Sequence, residues 1–138
     1  MIPGTLFIYP FRETQGNLME NNKPLEHFVH HQIDCWNRGD REGFLQCYRE
    51  LSPNGLSVEI VGMPAMDPWT VLEGMWDKTQ GDIRIEIVAA AVVGNEAVTH
   101  HRNYKKADGS LSTDTLEVYN LEDGKLSARY FVSYPSLE

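Results

Sequence analysis

Two Asp-Gly pairs constrain this chain more than any other feature. Asp108-Gly109 and Asp123-Gly124 each separate β-rich runs. Asp-Gly in that setting is the strongest short-range hairpin signal, because both residues of a two-residue turn must accept positive φ. The stretch from Asn95 to Tyr134 therefore reads as a three-stranded antiparallel meander.

If each pair is a two-residue turn, pairing can be counted outward from it. The first turn sets Thr99 opposite Val118, His101 opposite Leu116 and Asn103 opposite Asp114. The second sets Val118 opposite Arg129, Leu116 opposite Phe131 and Asp114 opposite Ser133. Side chains alternate, so Thr99, His101, Asn103, Asp114, Leu116, Val118, Arg129, Phe131 and Ser133 are expected on one face. That face mixes apolar groups with a His, an Asn, an Asp and an Arg within a few rungs, as a ligand pocket requires. The other face, with Tyr104, Thr115, Glu117, Tyr119 and Tyr130, suits a half-buried partner surface.

The rest of the chain supplies cover for such a sheet. Asn22 and Pro24 signal a helix start and Gly39 its end, with Leu25, Phe28, Val29, Gln32, Ile33 and Trp36 on one stripe. Gln32 is polar in mid-stripe and must find a partner or a ligand. Asp40 caps a second helix from Arg41 to Leu51. A short strand follows from Leu56 to Val61, then a third helix opened by Asp67-Pro68 and ending near Thr79. Ile83 to Val93 reads as a β-branched strand; its register, and so the side on which Arg84 and Glu86 emerge, stays open. Residues 1–22 read as an N-terminal extension and residues 23–138 as one domain.

Charge and cysteine usage exclude several classes. Twelve basic against twenty acidic residues give a net charge of −8, and no basic run exceeds Lys105-Lys106. Such a surface repels phosphate backbones and anionic lipid, so neither a nucleic-acid nor a membrane partner is expected. No apolar run approaches the ~20 residues of a span, and Pro3, Pro10, Arg12 and Glu13 interrupt the only apolar patch near the start. A cytoplasmic protein is the expectation. Cys35 and Cys47 read as buried free thiols. Adjacent histidines diverge on a helix, so no metal site is expected at His27, His30 and His31, and no motif implies a cofactor.

Trp36-Asn37-Arg38-Gly39-Asp40 is similar to the helix-ending W-N-x-G-D of the nuclear transport factor 2-like fold, and Asn120 to Lys125-Leu126 resembles its penultimate hairpin. The order of elements agrees over residues 24–134. The resemblance, which includes SnoaL-like cyclases and ketosteroid isomerases, implies an α+β cone-shaped fold: three N-terminal helices packed on a strongly curved, mainly antiparallel mixed sheet. It implies that the His101 face is a concave pocket wall and that the convex face, here Tyr104, Tyr119 and Tyr130, forms a homodimer. The ketosteroid isomerase positions for an oxyanion-donating tyrosine, a base and a protonated acid fall on Gln32, Ile60 and Leu116, and a helix acid used elsewhere in the superfamily falls on Asn37. Neither established chemistry is therefore expected.

The residues themselves suggest another. His101 and Asp114 form a candidate acid–base pair, with Gln32, Asn103, Ser133 and Arg129 as polar contacts and Trp36, Leu116, Val118 and Phe131 as walls. Such a set suits cofactor-independent isomerisation, dehydration or cyclisation of a small hydrophobic carbonyl compound. A non-catalytic ligand-binding or dimerisation module of the same fold is the alternative.

Overall fold

Asp40 and Asp67 show how local chemistry lays out the helices. Asp40 accepts a hydrogen bond from the Gly43 amide at 2.9 Å and opens α2 (Arg41–Leu51); Asp67 accepts from the Thr70 amide at 2.9 Å and opens α3 (Pro68–Thr79). Each satisfies one of the donors that a helix start leaves unpaired. The computed structural model describes the backbone of residues 12–134 and the side chains of residues 23–134. The apolar patch from Leu6 to Tyr9 lies outside the described residues.

The first helix, α1, spans Arg12–Asn37 and so begins earlier than the proline signal suggests. Pro24 lies inside it, and the helix runs through residues 22 and 23. Its end agrees with the sequence: Gly39 takes φ 76°, a left-handed conformation that glycine adopts without penalty.

Among the described residues five strands form a mixed, open sheet: β1 (Gly55–Ile60), between α2 and α3, and then β2 (Ile83–Val93), β3 (Glu96–Lys105), β4 (Leu111–Glu122) and β5 (Lys125–Ser133). The spatial order is β1-β5-β4-β3-β2, with β1 parallel to β5 and every other pair antiparallel. This is the expected α+β architecture of helices on a mainly antiparallel sheet.

The two hairpins differ. At the second, Asp123 and Gly124 take φ 55° and 74°, a two-residue turn that gives the expected register, Leu116 opposite Phe131 and Asp114 opposite Ser133. At the first, Gly109 has positive φ but Asp108 does not. The Asp108 carboxylate instead accepts from the Ser110 amide at 3.0 Å and its hydroxyl at 2.7 Å, and the Lys105 amide donates to the Ser110 carbonyl. With a bulge beyond Asn103, Thr99 pairs with Glu117, His101 with Thr115 and Asn103 with Thr113. The expected β3–β4 register is therefore off by one residue. A slip of one moves every side chain of β4 and β5 to the other face relative to β3.

The helices cover the face that carries Thr99, His101, Thr115, Glu117, Tyr119, Ala128 and Tyr130. Phe28 of α1 stands edge-on to Tyr119, with ring centroids 5.1 Å apart. Trp36, Phe44 and Trp76 bind the three helices together through centroids 5.2 to 5.5 Å apart, each contact adding about 0.5–1.5 kcal/mol beyond burial. Asn37 acts as a strand mimic: its side chain donates to the Ile85 carbonyl at 2.8 Å and accepts from the Ile85 amide at 2.9 Å. The end of α1 is thereby tied to the start of β2. No helix among the described residues is long and apolar enough to cross a membrane.

Candidate active site

Gln32 is the inward polar residue that its stripe implied, and it is 2% exposed. Its amide donates to the Tyr119 hydroxyl at 2.9 Å and its carbonyl accepts from the Tyr48 hydroxyl at 2.9 Å. Tyr48 has one proton and gives it to Gln32, so Tyr130, 2.7 Å away, donates to Tyr48. Tyr119 gives its own proton to the Glu117 carboxylate. One directed chain results: Tyr130 to Tyr48 to Gln32 to Tyr119 to Glu117. Bonds aligned head to tail polarise one another in a low-dielectric interior.

Glu117 is also approached from the sheet. Its second oxygen lies 3.1 Å from His101 Nδ1. A carboxylate only accepts, so Nδ1 carries the proton and, in the neutral ring, Nε2 is left as the base. His101 is fully buried, and its Nε2 has no hydrogen-bond partner; Thr99 Oγ1, two residues back on the same face of β3, has none either. A buried polar atom without a partner ordinarily costs about 1–3 kcal/mol. Two such atoms on one face leave hydrogen-bonding capacity that a buried water or another polar group would take up.

The buried tyrosines have their ionisation pushed up. Burial is the leading cause for Tyr48, Tyr119 and Tyr130, and the neighbouring negative charge of Glu117 adds to it. All three therefore work as neutral hydroxyl donors. Cys35 and Cys47 are buried free thiols as expected, and burial pushes Cys47 up to about 12.

The expected site divides between the two faces of the sheet. His101 and Asn103 lie on the helix-covered face, which Gln32 of α1 meets through Tyr119, and Asn103 donates there to Thr113 and Thr115 at 2.8 and 2.7 Å. Trp36 belongs to the aromatic core and donates to the Ile83 carbonyl. Asp114, Leu116, Val118, Arg129, Phe131 and Ser133 lie on the opposite, outer face, a correction that follows from the slipped register. Asp114 there sits 2.7 Å from His100 Nε2 and 3.5 Å from Arg102, and Arg129 pairs with Glu59 at 2.9 Å. His101 and Asp114 thus do not form a pair. Leu116 faces outward, so the inward neighbours of the position assigned to an acid are Thr115 and Glu117. The tyrosine face is likewise interior: Tyr119 and Tyr130 are buried, and Tyr104 is a separate residue that donates to Glu86 and lies under Arg84. Arg84 and Glu86 consequently stand outside the helix-covered face.

Glu117, Tyr119, Tyr48, Tyr130 and Thr99 were not singled out as site residues. The run Lys105-Lys106-Ala107-Asp108-Gly109-Ser110 held the missing signal, since its flanking polar residues fit a longer loop as well as a two-residue turn. Two open grooves, of about 460 Å³ beside β1 and β5 and about 680 Å³ beside Thr79, Ile83 and Lys105, involve no member of the network.

The architecture is the nuclear transport factor 2-like fold. Similar solved structures include a candidate ketosteroid isomerase from Kribbella flavida (12% identity, 86% of this chain and 84% of that one, TM-score 0.64). A candidate SnoaL-like polyketide cyclase from Jannaschia matches at 15% identity over 93% and 91% of the two chains, with TM-score 0.62. An NTF2-like protein of unknown function from Mesorhizobium loti matches at 18% identity over 82% and 93%, with TM-score 0.60. No family model and no curated protein sequence matches the chain.

Proposed function

We propose that this chain is a small-molecule pocket protein and a cofactor-independent enzyme that moves a proton on a small hydrophobic carbonyl compound, in an isomerisation, dehydration or cyclisation. One observation carries the reading: His101 Nε2 and Thr99 Oγ1 are buried without partners on one face, while Glu117 holds the other nitrogen of His101. The two residues stand roughly 7 Å apart along the strand. In this reading Nε2 takes a proton from the carbon next to the carbonyl, and the Thr99 hydroxyl donates to the enolate oxygen. The new Nε2–H then returns the proton to another carbon or to a departing hydroxyl. Glu117 keeps the ring in the required tautomer, and the tyrosine–Gln32 chain holds Glu117. Ile85 and Ile87, paired with Asn103 and His101, supply apolar wall. A placed general base is worth ~10²–10⁴-fold and one oxyanion donor ~10²–10³-fold. The names of the Kribbella and Jannaschia proteins belong to the same class of chemistry.

The alternative, a non-catalytic ligand-binding or dimerisation module, is favoured by the depth of His101 and by grooves that stop short of it. Under either reading the homodimer surface is the outer sheet face, where Val98, Leu116 and Phe131 are 46%, 48% and 37% exposed. Two free buried cysteines fit the reducing cytoplasm.

The deciding experiment incubates the protein in heavy water with a panel of hydrophobic ketones and enones and measures deuterium uptake beside the carbonyl, alongside the His101 ring resonances. Uptake that is lost in His101→Ala supports the enzyme. If no compound takes up deuterium but one shifts the His101 ring, the ligand-binding module stands. If none does either, the pocket reading is overturned.

A further inference from the structure

His31 and Cys35 lie one turn apart on α1, and i, i+4 residues share a helix face. Cys47 reaches the same place from α2. The three donor atoms lie within 4.8 Å of one another, and His31 Nε2 is 3.7 Å from Cys35 Sγ. In a tetrahedral zinc site, bonds of about 2.3 Å to sulfur and about 2.0 Å to nitrogen set the sulfur–nitrogen edge at about 3.5 Å. The observed separation is already close to that edge, and the other two, no more than 4.8 Å, would close by at most about 1.3 Å on coordination.

The surroundings fit as well. A Cβ at Gly43 would clash with the Asp40 carboxylate and stand 3.0 Å from Cys35 Sγ, so only glycine leaves both groups in place there. Arg38 donates to Cys35 Sγ at 3.5 Å, complementing the negative charge of a coordinating sulfur. The His27 ring stacks on His31, with centroids 4.8 Å apart, and restrains its orientation. Both cysteines are buried while His31 is half-buried, which gives an ion a way in from the histidine side.

We propose that His31, Cys35 and Cys47 bind one Zn²⁺ ion, with a water at the fourth position facing solvent. Two soft sulfurs and an imidazole are a donor set for Zn²⁺ rather than for the oxygen-seeking Mg²⁺ or Ca²⁺. The ion acts as a clip between α1 and α2. His31 adjoins Gln32 and Cys47 adjoins Tyr48, so the clip fixes the two helical residues whose hydrogen bond of 2.9 Å carries the buried chain towards Glu117.

Co²⁺ is the probe, added to the fully reduced full-length protein and followed by absorbance. The expected result is one equivalent of Co²⁺ giving thiolate-to-cobalt charge-transfer bands and the intense visible bands of four-coordinate geometry, both bleached by Zn²⁺. Cys47→Ser abolishes or halves the charge-transfer band. His31→Ala, at a half-buried position, keeps that band but weakens binding at least about tenfold, since even outer-shell changes cost that much. A wild-type spectrum showing only weak octahedral bands overturns the proposal. So does a charge-transfer band that is unchanged in Cys47→Ser, or binding unchanged in His31→Ala.

Discussion

At the scale of the residue, Glu117 matters most, because two neighbours lean on one buried carboxylate. Replacing it by Gln leaves an amide that cannot accept from both Tyr119 and His101 in the same way. The expected outcome for Glu117→Gln is a loss of about 1–3 kcal/mol in urea unfolding, and a fall of ~10²-fold or more in whatever proton exchange the deuterium assay detects. Asp114→Asn, on the outer face and partly exposed, is expected to leave that exchange unchanged. The tyrosines give a pH test. Their ionisation is raised in the folded chain, so the stability they contribute is fully present below ~10, the unfolded value, and is lost as pH rises through their folded values. In an alkaline absorbance titration, Tyr48, Tyr119 and Tyr130, three of the six tyrosines, are expected to ionise only as the protein unfolds.

At the scale of the element, the two Asp-Gly hairpins separate what looked alike in sequence. Gly109 and Gly124 both have φ 74°, so alanine costs about 1 kcal/mol of backbone strain at either. At Gly124, however, a Cβ would meet Asn54 Nδ2 at 2.6 Å, whereas at Gly109 it meets open space. Gly124→Ala is expected to shift the urea midpoint clearly further down than Gly109→Ala. The difference has the same origin as the register. Asp123-Gly124 is a tight turn braced by Asn54, which donates to the Asp123 carbonyl at 2.8 Å; Asp108 spends its side chain on Ser110 and leaves a longer loop. The element limits, by contrast, were legible. The Asp40 and Asp67 caps and the left-handed Gly39 gave the bounds of α2 and α3 and the end of α1, because capping is settled by a few adjacent residues. The start of α1 was not, since a proline permitted in a first turn can also lie inside a longer helix.

At the scale of the whole molecule, the proposed dimer surface is the outer sheet face. Val98, Leu116 and Phe131 form an apolar patch flanked by the His100–Asp114–Arg102 cluster and the Arg129–Glu59 pair. Leu116→Glu, which adds a charge where a second copy would press, is expected to convert a dimer into a monomer in sedimentation velocity while leaving the helix content by circular dichroism unchanged.

The sequence by itself determined the order of the elements, the capped helices, the second hairpin and the inward Gln32. Each depends on residues close along the chain or on a simple period. The tertiary structure alone decided which face of the sheet the helices cover, and with it the exchange of Asp114 for Glu117 as the partner of His101. Both faces carry apolar and charged residues, so the alternation in sequence was nearly symmetric and one residue in one loop tipped it. Burial broke the symmetry. This face buries Tyr119, Tyr130, Leu126 and Ala128 against α1 and α2, and the acid it buries, Glu117, has Tyr119 and His101 as partners; turning the other face inward would bury Asp114 and Arg129 instead. A buried unpaired charge costs several kcal/mol, and each buried aromatic or leucine gains about 1.5–3 kcal/mol.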